Sequence, residues 1–318
     1  MIRPTKRVSL LLAPLLFGAG VALAQPFAYV PNEGSGTVSV MDTQTDQVVA
    51  EIVAGKKPRG LAASPDGNWL YVSDQPVSQL QVLDLRQRTR VGSVDLGESP
   101  EGVGISPDGR WVAAAVEAHN EIVLIDTQTR RVSARIAVRG KNPEHVVFSP
   151  DSSQMLVSAE EGGAVDFIDV AARRQVAQLP VGARPRGIGF LPDGSRAYVA
   201  AENADEVYVI DLKGPSISAK IKAGSRANGI AVHPNGQRVY VSNGGAASVS
   251  VIDVASNSII ATIGVGQRPW NMALTPDGSK LYVANGRSGS VSVIDTERNE
   301  KLHDIPVGKL PWGVAIGP

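Results

Sequence analysis

Cysteine is absent from the chain, which excludes disulfides, thiolate metal centres, covalent haem attachment and a lipidated N-terminal cysteine. The fold must rest on its own core. Histidine is scarce, four scattered residues in 318, too few for a transition-metal site. No metal is expected, and only carboxylates remain as ligands for a hard cation such as Ca²⁺. Beyond residue 24 no apolar run is long enough to cross a bilayer. The i, i+3, i+4 spacing of apolar residues that marks a helix is missing as well.

What is present begins with a segment unlike the rest. "MIRPTKRVSLLLAPLLFGAGVALAQ" carries Arg3, Lys6 and Arg7, then an apolar run, then Ala22-Leu23-Ala24. That order predicts a secretory signal peptide over residues 1–24, cleaved near Ala24–Gln25, and a periplasmic or secreted mature chain. Pro14 and the shortness of the run argue against a membrane anchor. The leader holds three of the 31 basic residues and none of the 31 acidic ones, so the remainder carries a net charge of −3. A slightly acidic surface has no overall field to hold a polyanion, and nucleic acid is not an expected partner.

From Gln25 onward the sequence repeats. "VYVSNGGAASVSVID" at 239–253 returns as "LYVANGRSGSVSVID" at 281–295. The Asp closing each such run recurs at Asp42, Asp84, Asp126, Asp169, Asp211, Asp253 and Asp295, in steps of 42 or 43. The proline opening each turn keeps the same period at Pro65, Pro107, Pro150, Pro192, Pro234 and Pro276. Within a period, "RGIGFLPDG", "SRAYVAAE", "DEVYVID" and "ISAKIKAG" read as four strands separated by turns. Pro supplies the fixed φ of the first turn and Gly tolerates φ > 0. Four strands in about 42 residues make one propeller blade. The chain is therefore expected to be all-β, a single seven-bladed β-propeller over residues 25–318. It enters at "FAYV", equivalent to a second strand, and ends on "PWGVAIGP", equivalent to a first. The C-terminal strand should complete the blade begun by the N-terminal three, removing two open edges.

"YVSN…SVSVIDV" and "YVAN…SVSVIDT", followed by "VGxxP" and "SPDG", resemble the YVTN-repeat propellers over essentially the whole of this region. More narrowly, "VGQRPWNMALTPDGSKLYVANG" and "VGKLPWGVAIGP" are similar to exported propellers associated with pyrroloquinoline quinone (PQQ)-dependent alcohol catabolism. That resemblance implies a periplasmic accessory of quinoprotein oxidation, with a quinoprotein or transport component as partner. The tryptophan-docking repeats of the eight-bladed PQQ dehydrogenases are not found in the sequence.

A repeat separates what every blade needs from what one blade does. The seven Asp residues precede polar turns, where such side chains cap backbone N–H groups. The Pro-Asp-Gly turns are equally structural. Divergence is concentrated at the entry to strand one, which lines the channel. After the loop proline the sequence reads Arg59, Glu101, Glu144, Arg186, Asn228, Trp270 and Trp312. Two positions earlier stand Lys57, Ser99, Asn142, Arg184, Arg226, Arg268 and Leu310. Glu33, Glu117, Glu160 and Glu202 follow second strands on the same face. Arg184, Arg186, Arg226 and Arg268 form an arc beside Trp270 and Trp312, with Glu101 and Glu144 expected to face it.

Such an arc suits a small anionic or aromatic ligand, a PQQ-like molecule among them, through charge-assisted hydrogen bonds and stacking. The same groups can simply pair across a solvated mouth, a contact worth about 0–1 kcal/mol. Where Gly60, Gly102, Gly187, Gly229 and Gly313 otherwise stand, His145 and Asn271 depart from the rule. His145 beside Glu144 resembles the histidine of propeller lactonases; the two are the catalytic candidates, His145 as general base, with His119 as a second histidine on the same face.

The leading expectation is a non-enzymatic monomeric propeller, without a required cofactor, that binds a small anion or a partner protein at the channel mouth. A lactonase- or lyase-like enzyme using His145 is the alternative, and a nucleic-acid-binding or surface adhesion module comes third.

Overall fold

The computed structural model describes residues 26–317; the expected leader and its cleavage site lie outside that range. Within it the chain forms seven four-stranded antiparallel sheets arranged as a β-propeller. The departures from strand and turn are two single 3₁₀ turns, Gln75–Val77 and Glu117–His119. No helix of the described residues is long and apolar enough to cross a membrane.

One blade shows the unit: inner strand Pro58–Ala63, then Trp69–Asp74, Gln79–Asp84 and outer strand Thr89–Asp95. The first turn is held as the sequence anticipates. Asp66 Oδ1 accepts the Asn68 N–H at 3.0 Å and the Ser64 hydroxyl at 2.5 Å, while Gly67 takes φ of 68°. The Asp that closes strand three caps the next turn. Asp42 Oδ1 accepts the N–H groups of Gln44 and Thr45 at 2.8 and 3.0 Å, and Asp84, Asp126, Asp169, Asp211, Asp253 and Asp295 accept equivalent ones.

Strands two and three are buried along almost their whole length, as in Arg196–Ala201 and Glu206–Asp211. A neighbouring blade covers each face of the sheet, so the residues read as continuous apolar runs rather than an alternation. The core is correspondingly divided into clusters between neighbouring blades, with Tyr71, Tyr198, Tyr240 and Tyr282 among the largest fully buried side chains. Outer strands are mostly exposed and send in one side chain, for example Ile52, Ile136, Ile263 or Ile305.

The ring closes as expected. Ala315–Gly317 pairs antiparallel with the strand Phe27–Asn32, Phe27 opposite Gly317 and Tyr29 opposite Ala315. Ahead of it, Trp312 donates its N–H to the Pro31 carbonyl at 2.9 Å, and Glu33 donates to Leu310 at 3.0 Å.

Candidate functional site at the channel mouth

Each inner strand from the second to the seventh blade starts irregularly. Its pairing with strand two jumps from Pro58 to Leu61, Pro100 to Val103, Pro143 to His145, Pro185 to Ile188, Ala227 to Ile230 and Pro269 to Met272. The residue after each proline leaves the ladder and is re-aimed, as at a β-bulge. Serine hydroxyls of strand two accept the freed N–H groups, from Gly60 to Ser73 at 3.0 Å, His145 to Ser158 at 3.1 Å and Gly229 to Ser242 at 2.8 Å. Glycine at 60, 102, 187 and 229 is a matter of space. A Cβ there would press into the carbonyl oxygen of Glu101, Glu144, Asn228 or Trp270 on the next blade. Except at Lys57, the residue before the loop proline takes a left-handed conformation, with φ of 60° at Ser99, 61° at Asn142 and Arg184, and 54° at Arg268.

These starts surround a cavity of about 530 Å³. Arg59, Glu101, Glu144, Arg186, Asn228, Trp270 and Trp312 all line it, with His145, Asn271, Arg184 and Arg268, and with Glu33, Glu117 and Glu160 from the loops after strand two. Gln75 lines it too, unanticipated although it stands one period from Glu33 and Glu117.

Arg226 is exposed and outside the lining, and Lys57, Ser99 and Glu202 do not line the cavity either. Glu202 is already occupied by other arginines, and the equivalent place in the blade of Arg226 is Gly244. That glycine leaves room for Arg268, whose Nη1 would stand 2.9 Å from a Cβ at 244. Gly286 likewise makes way for the Trp270 indole, 2.5 Å from a Cβ there.

The arginines do not face the carboxylates across the channel; they are interleaved with them. Arg59 pairs with Glu101 and, at 3.2 Å, with Glu33. Arg186 pairs with Glu144, with Glu160 at 3.2 Å and with Glu202 at 3.0 Å. Arg184 reaches Glu160 at 2.5 Å, and Arg268 reaches Glu202 at 2.7 Å. Five glutamates thus meet four arginines, and Glu117 beside them brings the excess to two negative charges when all are ionised. A simple anion would have to displace carboxylates already in place, so the expectation of an open arginine arc does not hold.

Burial, reinforced by Glu144, raises the pKa of both Glu101 and Glu117. Burial also raises Glu160, although Arg186 opposes it. Arg186, which burial alone would lower, is raised by the glutamates around it.

The two departures from glycine meet across the channel. Asn271 Nδ2 donates to His145 Nε2 at 3.1 Å, and the imidazole stacks on Trp312 with centroids 5.4 Å apart. Burial and then Arg186 lower the His145 pKa to about 3, so the ring is neutral. With Nε2 accepting, the proton sits on Nδ1, which is buried without a partner. In this arrangement Asn271 holds His145 Nε2, and Nδ1 carries the proton. His119 is exposed, outside the lining, and packs by Gly97 instead.

Other buried polar atoms of the lining residues also lack partners: Arg59 Nε, Glu101 Oε2 and Arg268 Nη1. Such atoms cost about 1–3 kcal/mol each when unsatisfied. All belong to side chains that line the mouth.

Comparison with known proteins agrees with the fold. The model of a family of seven-bladed β-propeller lactonases matches residues 169–306, and that of a domain of unknown function matches residues 29–174. The lactonase match includes Arg186, Glu202, Arg268, Trp270 and Asn271 but not His145. No curated protein matches the chain in sequence. Among solved structures, Kuenenia stuttgartiensis hydrazine synthase superposes with a TM-score of 0.79 at 25% identity, over 84% of this chain and 92% of that one. A functionally unknown protein from Desulfotomaculum acetoxidans gives 0.79 at 17% identity, over 92% and 98%, which shows the fold alone.

Proposed function

We propose that the protein is an exported, non-enzymatic propeller that binds a small ring-shaped molecule in its channel mouth. The molecule is rich in hydroxyl groups and carries at most one carboxylate, as a hydroxy acid or its lactone does. The observation that carries this reading is the cavity itself: an aromatic wall of Trp270, Trp312 and His145 beside buried polar atoms without partners. Indoles and imidazole stack on a flat ring, while the Glu and Arg groups exchange hydrogen bonds with hydroxyls. A polyanion such as PQQ is disfavoured by the excess of carboxylates. The likeness to propellers of PQQ-dependent alcohol catabolism supports a role beside alcohol oxidation, which yields acids and lactones.

The test is tryptophan fluorescence and melting temperature of the chain with hydroxy acids, sugar lactones, aromatic acids and PQQ. A saturable change with the first two classes is expected, and Trp312→Ala should weaken it by roughly tenfold or more, about 1.4 kcal/mol, the size of an aromatic contact. A response confined to PQQ, or none to any compound, would overturn the reading.

The lactonase match supports a second reading, in which the bound lactone is opened by water. His145 Nδ1–H would then donate to the lactone carbonyl, stabilising the charge that develops on its oxygen. Hydrolysis of a lactone that is lost in His145→Ala, with binding retained, would favour this over passive binding.

A further inference from the structure

On one side of the mouth the carboxylates outrun their partners. Glu117, Glu144 and Glu160 each offer an oxygen, and the three atoms lie within 4.8 Å of one another. Three points so spaced share a centre no farther than about 2.8 Å from each, close to the roughly 2.3–2.6 Å of calcium–oxygen bonds and looser than the roughly 2.0–2.1 Å magnesium demands. Glu144 and Glu160 have arginine partners, but Glu117 has no ion pair among the described residues; it accepts the Ser99 hydroxyl at 2.9 Å.

Proximity of acids alone proves little. A separate observation is Glu101, which lines the same cavity and is only 1% exposed. Its Oε1 is taken by Arg59 and by Gln75, the latter at 2.7 Å, while its Oε2 has no partner. Glu101 stands near enough to Glu144 and Glu117 for their charges to oppose its ionisation. A buried carboxylate oxygen left unpaired is costly unless something positive reaches it. With all six glutamates of the mouth ionised, their excess over the four arginines equals the charge of one divalent ion. The cluster offers only carboxylate oxygens, hard ligands that favour calcium over softer metals.

We propose that Glu117, Glu144 and Glu160, with the free oxygen of Glu101 beside them, form a calcium-class divalent cation site in the channel mouth. Placed there, the ion turns one wall of the cavity from repelling to attracting an oxygen-rich ligand. The site does not depend on that ligand, and its test uses none.

The chain, stripped with a chelator, is titrated with calcium and separately with terbium, a calcium surrogate whose emission the neighbouring indoles of Trp270 and Trp312 can sensitise. One ion per chain is expected, with affinity in the roughly millimolar-or-tighter range of extracellular calcium sites. Melting temperature should rise by about 5 °C at roughly a hundredfold excess over the dissociation constant. Glu117→Gln and Glu160→Gln should each weaken binding tenfold or more, while Glu33→Gln, elsewhere in the same mouth, should leave it within about threefold. No sensitised emission and no calcium-dependent shift in the unmodified chain would overturn the proposal, whether or not the variants fold. So would a Glu33→Gln loss as large as that of Glu117→Gln.

Discussion

Glu202 has no exposed side-chain surface, yet three guanidinium groups converge on it: Arg186 at 3.0 Å, Arg268 at 2.7 Å and Arg184 at 3.3 Å. Burial alone would raise its pKa, but Arg186 and Arg268 outweigh burial and hold it below the usual carboxylate range. The stability this contributes is fully present above the ordinary glutamate pKa and is lost as pH falls through the lowered value. Glu202→Gln leaves the arginines without their shared counter-charge and should cost about 3 kcal/mol in urea unfolding at neutral pH. The gap from the unmodified chain should narrow as pH falls below the ordinary glutamate pKa and close through the lowered value of Glu202, where the native carboxylate protonates too. An undiminished gap in acid would mean that shape, not charge, is what Glu202 supplies. At this scale the sequence was legible in part. The 42-residue period places the backbone of each mouth residue, so the ring from Arg59 to Trp312 could be written out beforehand. It does not say where a side chain goes. Arg226 turns outward, and His145 meets Asn271 rather than His119. That contact spans 126 residues and arises only when the ring closes.

The repeated motif itself has a physical meaning at the level of the strand pair. The Asn that ends strand two and the two hydroxyl residues of strand three form one buried unit. Asn285 Nδ2 donates to Ser290 at 3.2 Å and Ser292 at 2.9 Å; Asn243 does the same with Ser248 and Ser250, and Asn32 with Thr37 and Ser39. The glycine of "VGxxP" belongs to the same unit. A Cβ at Gly266 would stand 2.6 Å from Asn285 Cγ, and Gly224 and Gly308 meet Asn243 and Asn32 in the same way. Asn285→Ala strips the donor from two hydroxyls and should cost about 1–3 kcal/mol. Its mark would be a lowered unfolding midpoint with unchanged fluorescence response to ligand, because the unit lies behind the mouth. A change in ligand response as large as the change in stability would show that the motif shapes the site. Strand content and turns were readable in advance because Pro-Asp-Gly and the β-branched runs act locally. The displaced start of each inner strand was not, since it depends on a neighbouring blade coming close enough to demand glycine.

Across the whole molecule the ring has one seam, and it is short. Three residues, Ala315–Gly317, pair with Phe27–Tyr29, supported by the bonds of Leu310 and Trp312 to Glu33 and Pro31. Val314 and Ile316 pack against Ala28 and Val30 in the cluster that also holds Tyr282. Elsewhere the strands of a blade are joined by continuous chain as well as by hydrogen bonds, whereas at this seam side chains and a few main-chain bonds act alone. Deleting residues 315–318 therefore removes Ile316 from the core and also exposes the edge of Phe27–Asn32 to pairing with another molecule. Partial burial of one isoleucine is worth at most about 1.5–3 kcal/mol, but a propeller that opens at its seam loses the packing of both flanking blades together. The truncated chain should lose more stability than Ile316→Ala, by roughly 2 kcal/mol or more, and should elute as a mixture of monomer and larger species. Equal losses in the two variants, with both monomeric, would mean that packing alone holds the seam and that the three-residue strand adds nothing to closure.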